Sequence, residues 1–543
     1  MRQINNMQDY AATYADFKFN RPERFNFAGD VIDYWADSAR DKQALFIVDD
    51  DGHVIEKKFS DISRASRQLA NVLSENGVKR GDTIVMILGR TLPWWEGFTA
   101  SLRMGAVISP GTTQLSAKDL AYRFNAAGAT CVITDAANAE KIDEVSDQCP
   151  SLHAKLIVGN ERAGWIGYEA ALAAASDEFA TVDTASDEDA ICYFTSGTTG
   201  FPKMAIHTHN YGIGHQTTGR FWLDLTPDSL HWNISDTGWA KAAWSSYFGP
   251  WNCGAALFVH DSGGFDPAQT LGFLQQFPIT TMCSAPTIYR MLVRQDLDNY
   301  SFTHLQHCVG AGEPLNPEII EVWKRATGIT IRDGYGQTET VILCGSFPCI
   351  EPRFGSMGKP APGIDLQVID DDGNILPPQQ EGDIAVRIKP ERPTGLFKGY
   401  KDAPEKTAST FKGDWYLTGD RAYVDEDGYF WFVSRSDDVI LSSGYRIGPF
   451  EVESALIEHA AVIESAVVSS PDEIRGEVVK AFVVLGEGYD ADEALAKELQ
   501  DHVKSSTAPY KYPRKIEFVD ELPKTVSGKI RRVELRDKEW GRN

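Results

Sequence analysis

Between residues 40 and 160, short runs rich in β-branched residues alternate with helical stretches: DTIVMILG, the amphipathic PWWEGFTASLRMGA, AVISPG, ATCVITD and AKLIVG. Strands separated by helix-length stretches return parallel to one another, so this alternation predicts βαβ units around a largely parallel sheet. AALFVH, ITTMCSAP, LQHCVGAGEP and ITIRDGYGQTE repeat the pattern, and two α/β lobes are expected within the first 340 residues. From 360 to 435, strands such as DLQVID, GDIAVRI and GYFWFV crowd between Gly, Pro and Asp turns, which reads as a small antiparallel barrel or sheet. After SRSDD at 434–438 comes an α+β segment of about a hundred residues, enough to fold independently. It holds a helix opened by Pro449, paired strands near 462–485, and a helix with Leu495, Leu499 and Val503 on one face. At 543 residues the chain exceeds what a single core serves. The expected fold is α/β: a large N-terminal domain over 1–436, with two α/β lobes and a small β-barrel-like subdomain, and a small α+β C-terminal domain over 437–543.

Composition limits the partners. A formal net charge of −24 argues against a nucleic-acid backbone or an anionic membrane, since both demand surplus Lys and Arg. Any polyanion must meet a local cationic site. MRQINNMQDY has no apolar core, no run of 18 apolar residues occurs, and no Arg-rich amphipathic leader is present, so neither a signal peptide nor a membrane span is expected. Eight cysteines stand singly without a CxxC pair, which suits reduced, buried thiols. A cytoplasmic location follows as the expectation. His207 and His209 in HTH share one face of a strand, but with no third ligand at metal spacing they read as core or loop histidines.

TSGTTGFPK at 195–203 is the most distinctive stretch. Gly197 and Gly200 free the backbone to turn several N–H groups toward one point, Thr195, Ser196, Thr198 and Thr199 add hydroxyls, and Lys203 adds a full charge. The natural guest is a polyphosphate. Phe201 and Pro202 separate the second glycine from the lysine, so this is not a Walker A loop, and a P-loop kinase is disfavoured.

In order along the chain, TSGTTGFPK is followed by YGQTE at 335–339, YLTGD at 416–420, SRSDDVILSSGYRIGPFEVE at 434–453 and LPKTVSGKI at 522–530. Together these resemble the acyl-adenylate-forming enzymes, the AMP-binding superfamily, over nearly the whole chain from about residue 30. ISDTGW, SAPTIYRML, LQHCV, GYRIGP, RGEVVKAFVVL and APYKYPRKIEF look most like its medium-chain acyl-CoA synthetases. Phe201 stands where Leu is usual, and Asp333 and Gly334 precede YGQTE where other residues often occur. Both departures bear on acyl preference more than on reaction type.

The resemblance implies two half-reactions. A carboxylate attacks the α-phosphate of ATP to give acyl-AMP and pyrophosphate, and the thiol of coenzyme A then displaces AMP. Thr195, Ser196, Gly197, Thr198, Thr199, Gly200 and Lys203 match the family's phosphate loop. Asp333, Gly334, Tyr335, Gly336, Gln337, Thr338 and Glu339 match its second ATP motif: the Tyr335 ring against adenine, Thr338 on the α-phosphate and acyl carboxylate, Glu339 on Mg²⁺. Gly310, Ala311, Gly312, Glu313 and Pro314 border adenine and the acyl pocket, and Asp420 and Arg435 are expected at the ribose. Five of thirteen tryptophans, at 222, 232, 239, 244 and 251, fall within 221–251; four read as core, whereas Trp239 matches the aromatic wall between acyl pocket and thiol tunnel.

Asp437 occupies the family's hinge position, so the C-terminal domain is expected to be mobile and to deliver Lys529 for the first half-reaction, then SSGYRIG for the second. Ser443, Gly444, Tyr445, Arg446, Arg475, Tyr510, Lys511 and Tyr512, with Arg514, supply the aromatic and cationic groups that coenzyme A requires. The implied catalytic set is Lys529, Thr338, Glu339 and Trp239, with Mg²⁺ as cofactor and ATP, a carboxylic acid and coenzyme A as partners. The acid is expected to be a medium- or short-chain fatty acid, with an aryl acid and homo-oligomerisation left open, and the role is one in fatty-acid and lipid metabolism. Competing readings are an adenylating enzyme that loads a carrier protein and an inactive nucleotide sensor; the second should have lost Glu339 or Lys529, and both are present.

Overall fold

The computed structural model describes the chain except residues 1–5, 40, 196–201, 314, 437, 443–444, 473–474, 487, 525–529 and 543, with only the backbone at Arg446. Two large sheets carry the N-terminal domain. In the first, eight strands run in the order Gly399–Tyr400, Lys203–Thr208, Asp189–Thr195, Val107–Gly111, Thr83–Ile87, Ala129–Asp135, Ala154–Val158, Ile166–Gly167. It is parallel from Asp189–Thr195 outward, and its first two strands are antiparallel. In the second, nine strands run Lys359–Pro360, Cys344–Gly345, Ile331–Tyr335, His307–Ala311, Thr281–Ser284, Leu230–Ile234, Ala256–Asp261, Gln43–Asp49, Val54–Lys58, with a parallel centre.

The two lobes do not divide the chain at one point. Gln43–Asp49 pairs with Ala256–Asp261, Leu45 opposite Leu257, and so crosses into the second sheet. Asp189–Thr195 and Lys203–Thr208 return to the first. Periodicity marks a segment as strand, but the partner is chosen by burial far along the chain.

Local chemistry explains the helices that flank these sheets. Ala117–Ala127 starts on a capping box, Ser116 accepting from the Asp119 N–H, and stops at Gly128 in the left-handed conformation, φ 65°. Leu92–Arg103 carries Pro93 in its first turn, where no donor is lost. Its last residue, Arg103, is fully buried: Nη1 and Nη2 donate to the two Asp33 oxygens, each at 2.8 Å, and Nε donates to Ser66 Oγ at 2.9 Å. Burial alone would raise the Asp33 carboxyl, yet Arg103 holds it below the ordinary carboxylate range. Three helical segments are pinned by this one guanidinium.

The third unit is a five-stranded antiparallel sheet, Leu366–Ile369, Gly382–Arg387, Trp415–Val424 and Phe411–Lys412 in order, with Phe430–Arg435 also on Trp415–Val424. Beyond residue 438 a separate core forms on the sheet Tyr445–Ile447, Ile440–Ser442, Gly476–Leu485, Val462–Asp472, with Lys515–Phe518 parallel to Gly476–Leu485. Period-two alternation gives that sheet two apolar faces: Val467, Val479, Ala481 and Val483 meet Leu495, Leu499 and Val503 of Glu493–Ser506, whereas Ala466, Val468 and Phe482 meet Leu535 of Arg532–Trp540. Trp222, Trp232, Trp244 and Trp251 are buried, Trp239 is half-exposed, and all eight cysteines are free.

Replacing Arg103 by Leu strands the Asp33 carboxylate and should cost about 3 kcal/mol. A lowered urea midpoint, largely restored by the double substitution with Asp33→Asn, is the expected result.

Candidate active site

The strand Ile331–Tyr335 lies beside His307–Ala311, Gly310 opposite Asp333 and Ala311 opposite Gly334. GAGEP and DGYGQTE are therefore neighbours at one sheet edge. The glycines are steric requirements: a Cβ at Gly334 would sit 2.4 Å from the Trp222 ring, and one at Gly336 2.4 Å from that of Trp244. Beyond this edge the Tyr335 hydroxyl donates to Asp420 Oδ2 at 2.6 Å, and Gln337 Nε2 donates to the same oxygen at 2.7 Å and to the Thr418 carbonyl at 2.8 Å. Burial, reinforced by the Asp420 carboxylate, pushes the Tyr335 phenol well above its ordinary pKa.

Asp420, which ends YLTGD, lies inside the strand Trp415–Val424. Gly419 has φ 75°, and the pairing slips between Asp383 opposite Arg421 and Ala385 opposite Leu417, so a bulge re-aims this stretch toward Tyr335 and Gln337. Asp420 is only 8% exposed and stands opposite Arg435 on the neighbouring strand.

Next along the chain, the Thr338 carbonyl accepts the Nε2–H of His207 at 2.7 Å. His207 is fully buried, and burial pushes its pKa down to about 3, so the ring stays neutral. His207 and His209 are core histidines, as expected, and His207 also supports the ATP motif. Glu339, 9% exposed, accepts the Tyr400 hydroxyl through Oε1 at 2.8 Å, and its backbone carbonyl accepts the Phe397 N–H at 2.8 Å. Lys203 Nζ stands 5.3 Å from the centroid of the Tyr400 ring, and Thr195 pairs with Lys203 across the strands. The two ends of TSGTTGFPK thus meet beside Glu339. Ser196, Gly197, Thr198, Thr199, Gly200 and Phe201 lie outside the described residues.

Trp239 precedes the short helix Ala240–Ala243, from which Lys241 Nζ donates to the Ala311 carbonyl at 2.8 Å. Asp333 is buried, accepts the Gly334 N–H at 2.8 Å, and has its carboxyl pushed up to about 8 by burial. Gly312 adopts φ 109°, and Glu313 pairs with Arg290 at 3.4 Å; Pro314 lies outside the described residues. Lys241, His207 and Tyr400 escaped the sequence reading as site residues, because His207 and Tyr400 reach the site from strands of another sheet and Lys241 from a short helix, all outside the family's motifs.

In the C-terminal domain Tyr445 and Tyr510 stack at 4.3 Å and 17°, both rings exposed, with Lys511 Nζ 5.8 Å from the Tyr510 centroid and paired to Glu451. Tyr512 is not part of that stack. It lies between Lys504, 4.1 Å from its ring, and Arg514, which donates to its hydroxyl at 2.7 Å. Arg475 pairs with Asp472 at 3.8 Å. Asp437, Ser443, Gly444, Lys529 and the Arg446 side chain lie outside the described residues.

Residues 32–401 match the AMP-binding enzyme family, and residues 451–529 match the AMP-binding enzyme C-terminal domain. The chain belongs to the AMP-binding enzymes. Among relatives of this enzyme, the acyl-coenzyme A synthetase ACSM3, mitochondrial, of Mus musculus is 54% identical over 98% of the chain and 94% of its own length. The acyl-coenzyme A synthetase ACSM4, mitochondrial, of Homo sapiens is 52% identical over 97% and 94%. In architecture the enzyme is similar to the anthranilate CoA ligase AuaEII in complex with anthranoyl-AMP, with TM-score 0.88, 30% identity, and 95% and 98% of the two chains covered. The acyl-CoA synthetase of Brucella canis gives TM-score 0.76, 34% identity, and 99% and 100% coverage.

These likenesses bear out the expected family, the fold class and an AMP-forming acid-thiol ligase. They overturn the expected cytoplasmic location, since the relatives are named mitochondrial. Reduced thiols buried by packing carry no address, and neither does charge balance.

Asp420→Ala leaves the Tyr335 hydroxyl and the Gln337 amide without their shared acceptor, at a cost of about 2 kcal/mol. A drop in the thermal midpoint is expected, and an unchanged midpoint would show that water replaces the carboxylate.

Proposed function

We propose that this enzyme activates a carboxylic acid with ATP, releasing pyrophosphate, and passes the acyl group of the adenylate to coenzyme A. The observation that carries the reading is the meeting of Tyr335, Thr338 and Glu339 with Lys203 and Asp420, residues held by three sheets, in a chain 54% identical to an acyl-coenzyme A synthetase over nearly its whole length. Attack on phosphorus develops negative charge on several oxygens, so preorganised donors and cations dominate such a site.

In this reading Lys203 and the loop before it hold the β- and γ-phosphates, and Thr338 faces the α-phosphate, its backbone held by the neutral His207. Tyr335 borders adenine, with its ring fixed through Asp420; Gly312 and Glu313 line the same side, and Asp420 and Arg435 meet the ribose. Glu339 fits a hard divalent cation: its carboxylate is nearly buried, one oxygen is oriented by a neutral phenol, and Mg²⁺ takes oxygen ligands readily. Bound Mg²⁺ would offset phosphate charge there. The acyl tail lies along Trp239, Gly310 and Ala311, where apolar walls contribute about 0.8 kcal/mol per buried CH₂. A medium- or short-chain fatty acid or an aryl acid suits such walls.

The domain after Asp437 swings about that residue, bringing Lys529 to the nucleotide and afterwards Ser443, Gly444 and Tyr445 to the thiol passage. Arg446, Arg475 and Lys511 face the phosphates of coenzyme A, and the stacked Tyr445 and Tyr510 offer an aromatic platform to its adenine, with Tyr512 and Arg514 flanking.

Pyrophosphate release measured across acetate to decanoate plus benzoate, with and without coenzyme A, tests the reaction; formation of ADP and orthophosphate would sink it. Lys529→Ala should slow adenylation by roughly 10² to 10³ while sparing thioester formation from supplied acyl-AMP. Equal loss in both half-reactions would remove Lys529 from the first. Arg475→Ala should raise KM for coenzyme A alone.

A further inference from the structure

Arg123 lies in the second half of helix Ala117–Ala127, its guanidinium carbon 4.5 Å from the centroid of the Phe194 ring. Phe194 is the last residue but one of Asp189–Thr195, immediately before TSGTTGFPK begins. On the other side, a Cβ at Gly111 would lie 3.8 Å from Nη1 of Arg123, and Gly111 ends the strand Val107–Gly111. These two strands are parallel neighbours, Ile108 opposite Ile191. The guanidinium therefore stands over the C-terminal edge of two adjacent parallel strands, where open α/β sheets take their ligands.

This side chain is half-buried, and burial pushes its pKa down to about 10. Among the described residues no ion pair or hydrogen bond to it is formed. Asp119, on the same helix, accepts instead from the Ser116 N–H at 3.2 Å and the Ser116 hydroxyl at 2.6 Å. A guanidinium has five N–H donors, and one drawn out of water without acceptors is unfavourable. Its contact with the Phe194 face offsets only about 1 kcal/mol of that. The fully buried Arg103, by contrast, has its acceptors in Asp33 and Ser66. The neighbouring Tyr122 hydroxyl donates to the Pro202 carbonyl at 3.1 Å, so two successive residues of one helix meet the chain just before TSGTTGFPK and near its end.

We infer that Arg123 binds phosphate oxygens, as a second cation alongside Lys203 for the pyrophosphate released from ATP. The inference rests on the ligase reading above. A planar fork at a rigid helix suits bidentate contact with a phosphate, which the flexible ammonium of Lys203 does not provide. Pyrophosphate, compact and strongly charged, feels this group more than the adenosine portion of ATP does.

The test uses the full-length enzyme with Arg123→Gln and Arg123→Lys. In carboxylate-dependent ATP–pyrophosphate exchange, the Gln variant should raise the pyrophosphate constant about tenfold and the Lys variant less, with the constants for carboxylic acid and coenzyme A unchanged within about twofold. Pyrophosphate titrated into nucleotide-free enzyme should raise the thermal midpoint of the wild type more than that of either variant. An unchanged pyrophosphate constant in the Gln variant, or an equal rise in all the constants, overturns the inference. Should the Gln variant not fold, the same comparison on the Lys variant decides. Absence of exchange in the wild type would instead count against the ligase reading, and the thermal titration would still decide the role of Arg123.

Discussion

One oxygen, Oδ2 of Asp420, accepts both the Tyr335 hydroxyl and the Gln337 amide, and through it the five-stranded antiparallel sheet is fastened to the nine-stranded mixed sheet. Both donors come from a segment that leaves a strand and would otherwise be free to wander. The bulge at Gly419 makes this possible, because an unbroken ladder would hold these residues in another orientation. His207 from the eight-stranded sheet and Tyr400 from its edge strand complete the arrangement, one on the Thr338 carbonyl and one on the Glu339 carboxylate. Three sheets thus hold five consecutive residues of one motif.

Charge is distributed against the overall balance. The chain carries a formal net charge of −24, yet Lys203 ends TSGTTGFPK and Arg123 lies just before it, each against an aromatic face. Lys241 adds an ammonium at Ala311. An acidic exterior with cationic clefts also directs a polyanion to the cleft rather than the surface.

Much of the fold was legible in one dimension. The strands around DTIVMILG, AVISPG, ATCVITD and ITIRDGYGQTE and the helix bearing Leu495, Leu499 and Val503 form where periodicity placed them, since local pattern and burial agree there. Four tryptophans of the 221–251 cluster pack inward, as expected, and Trp239 is half-exposed. The reading failed where a partner had to be chosen. Gln43–Asp49 joins the sheet that follows it by some two hundred residues, Tyr510 stacks on Tyr445, and Asp420 sits in a bulged strand.

Composition and periodicity sufficed to determine an α/β chain of two domains, and the resemblance of five ordered motifs to the AMP-binding enzymes carried its family and reaction type, because both kinds of signal are written in contiguous residues. Tertiary structure alone decided which groups steady those motifs: His207 beneath Thr338, Tyr400 on Glu339, Lys241 at Ala311, and Arg123 over Phe194. Such contacts join strands and helices up to 131 residues apart, as for His207 and Thr338, and arise from strand order and register that no local pattern encodes.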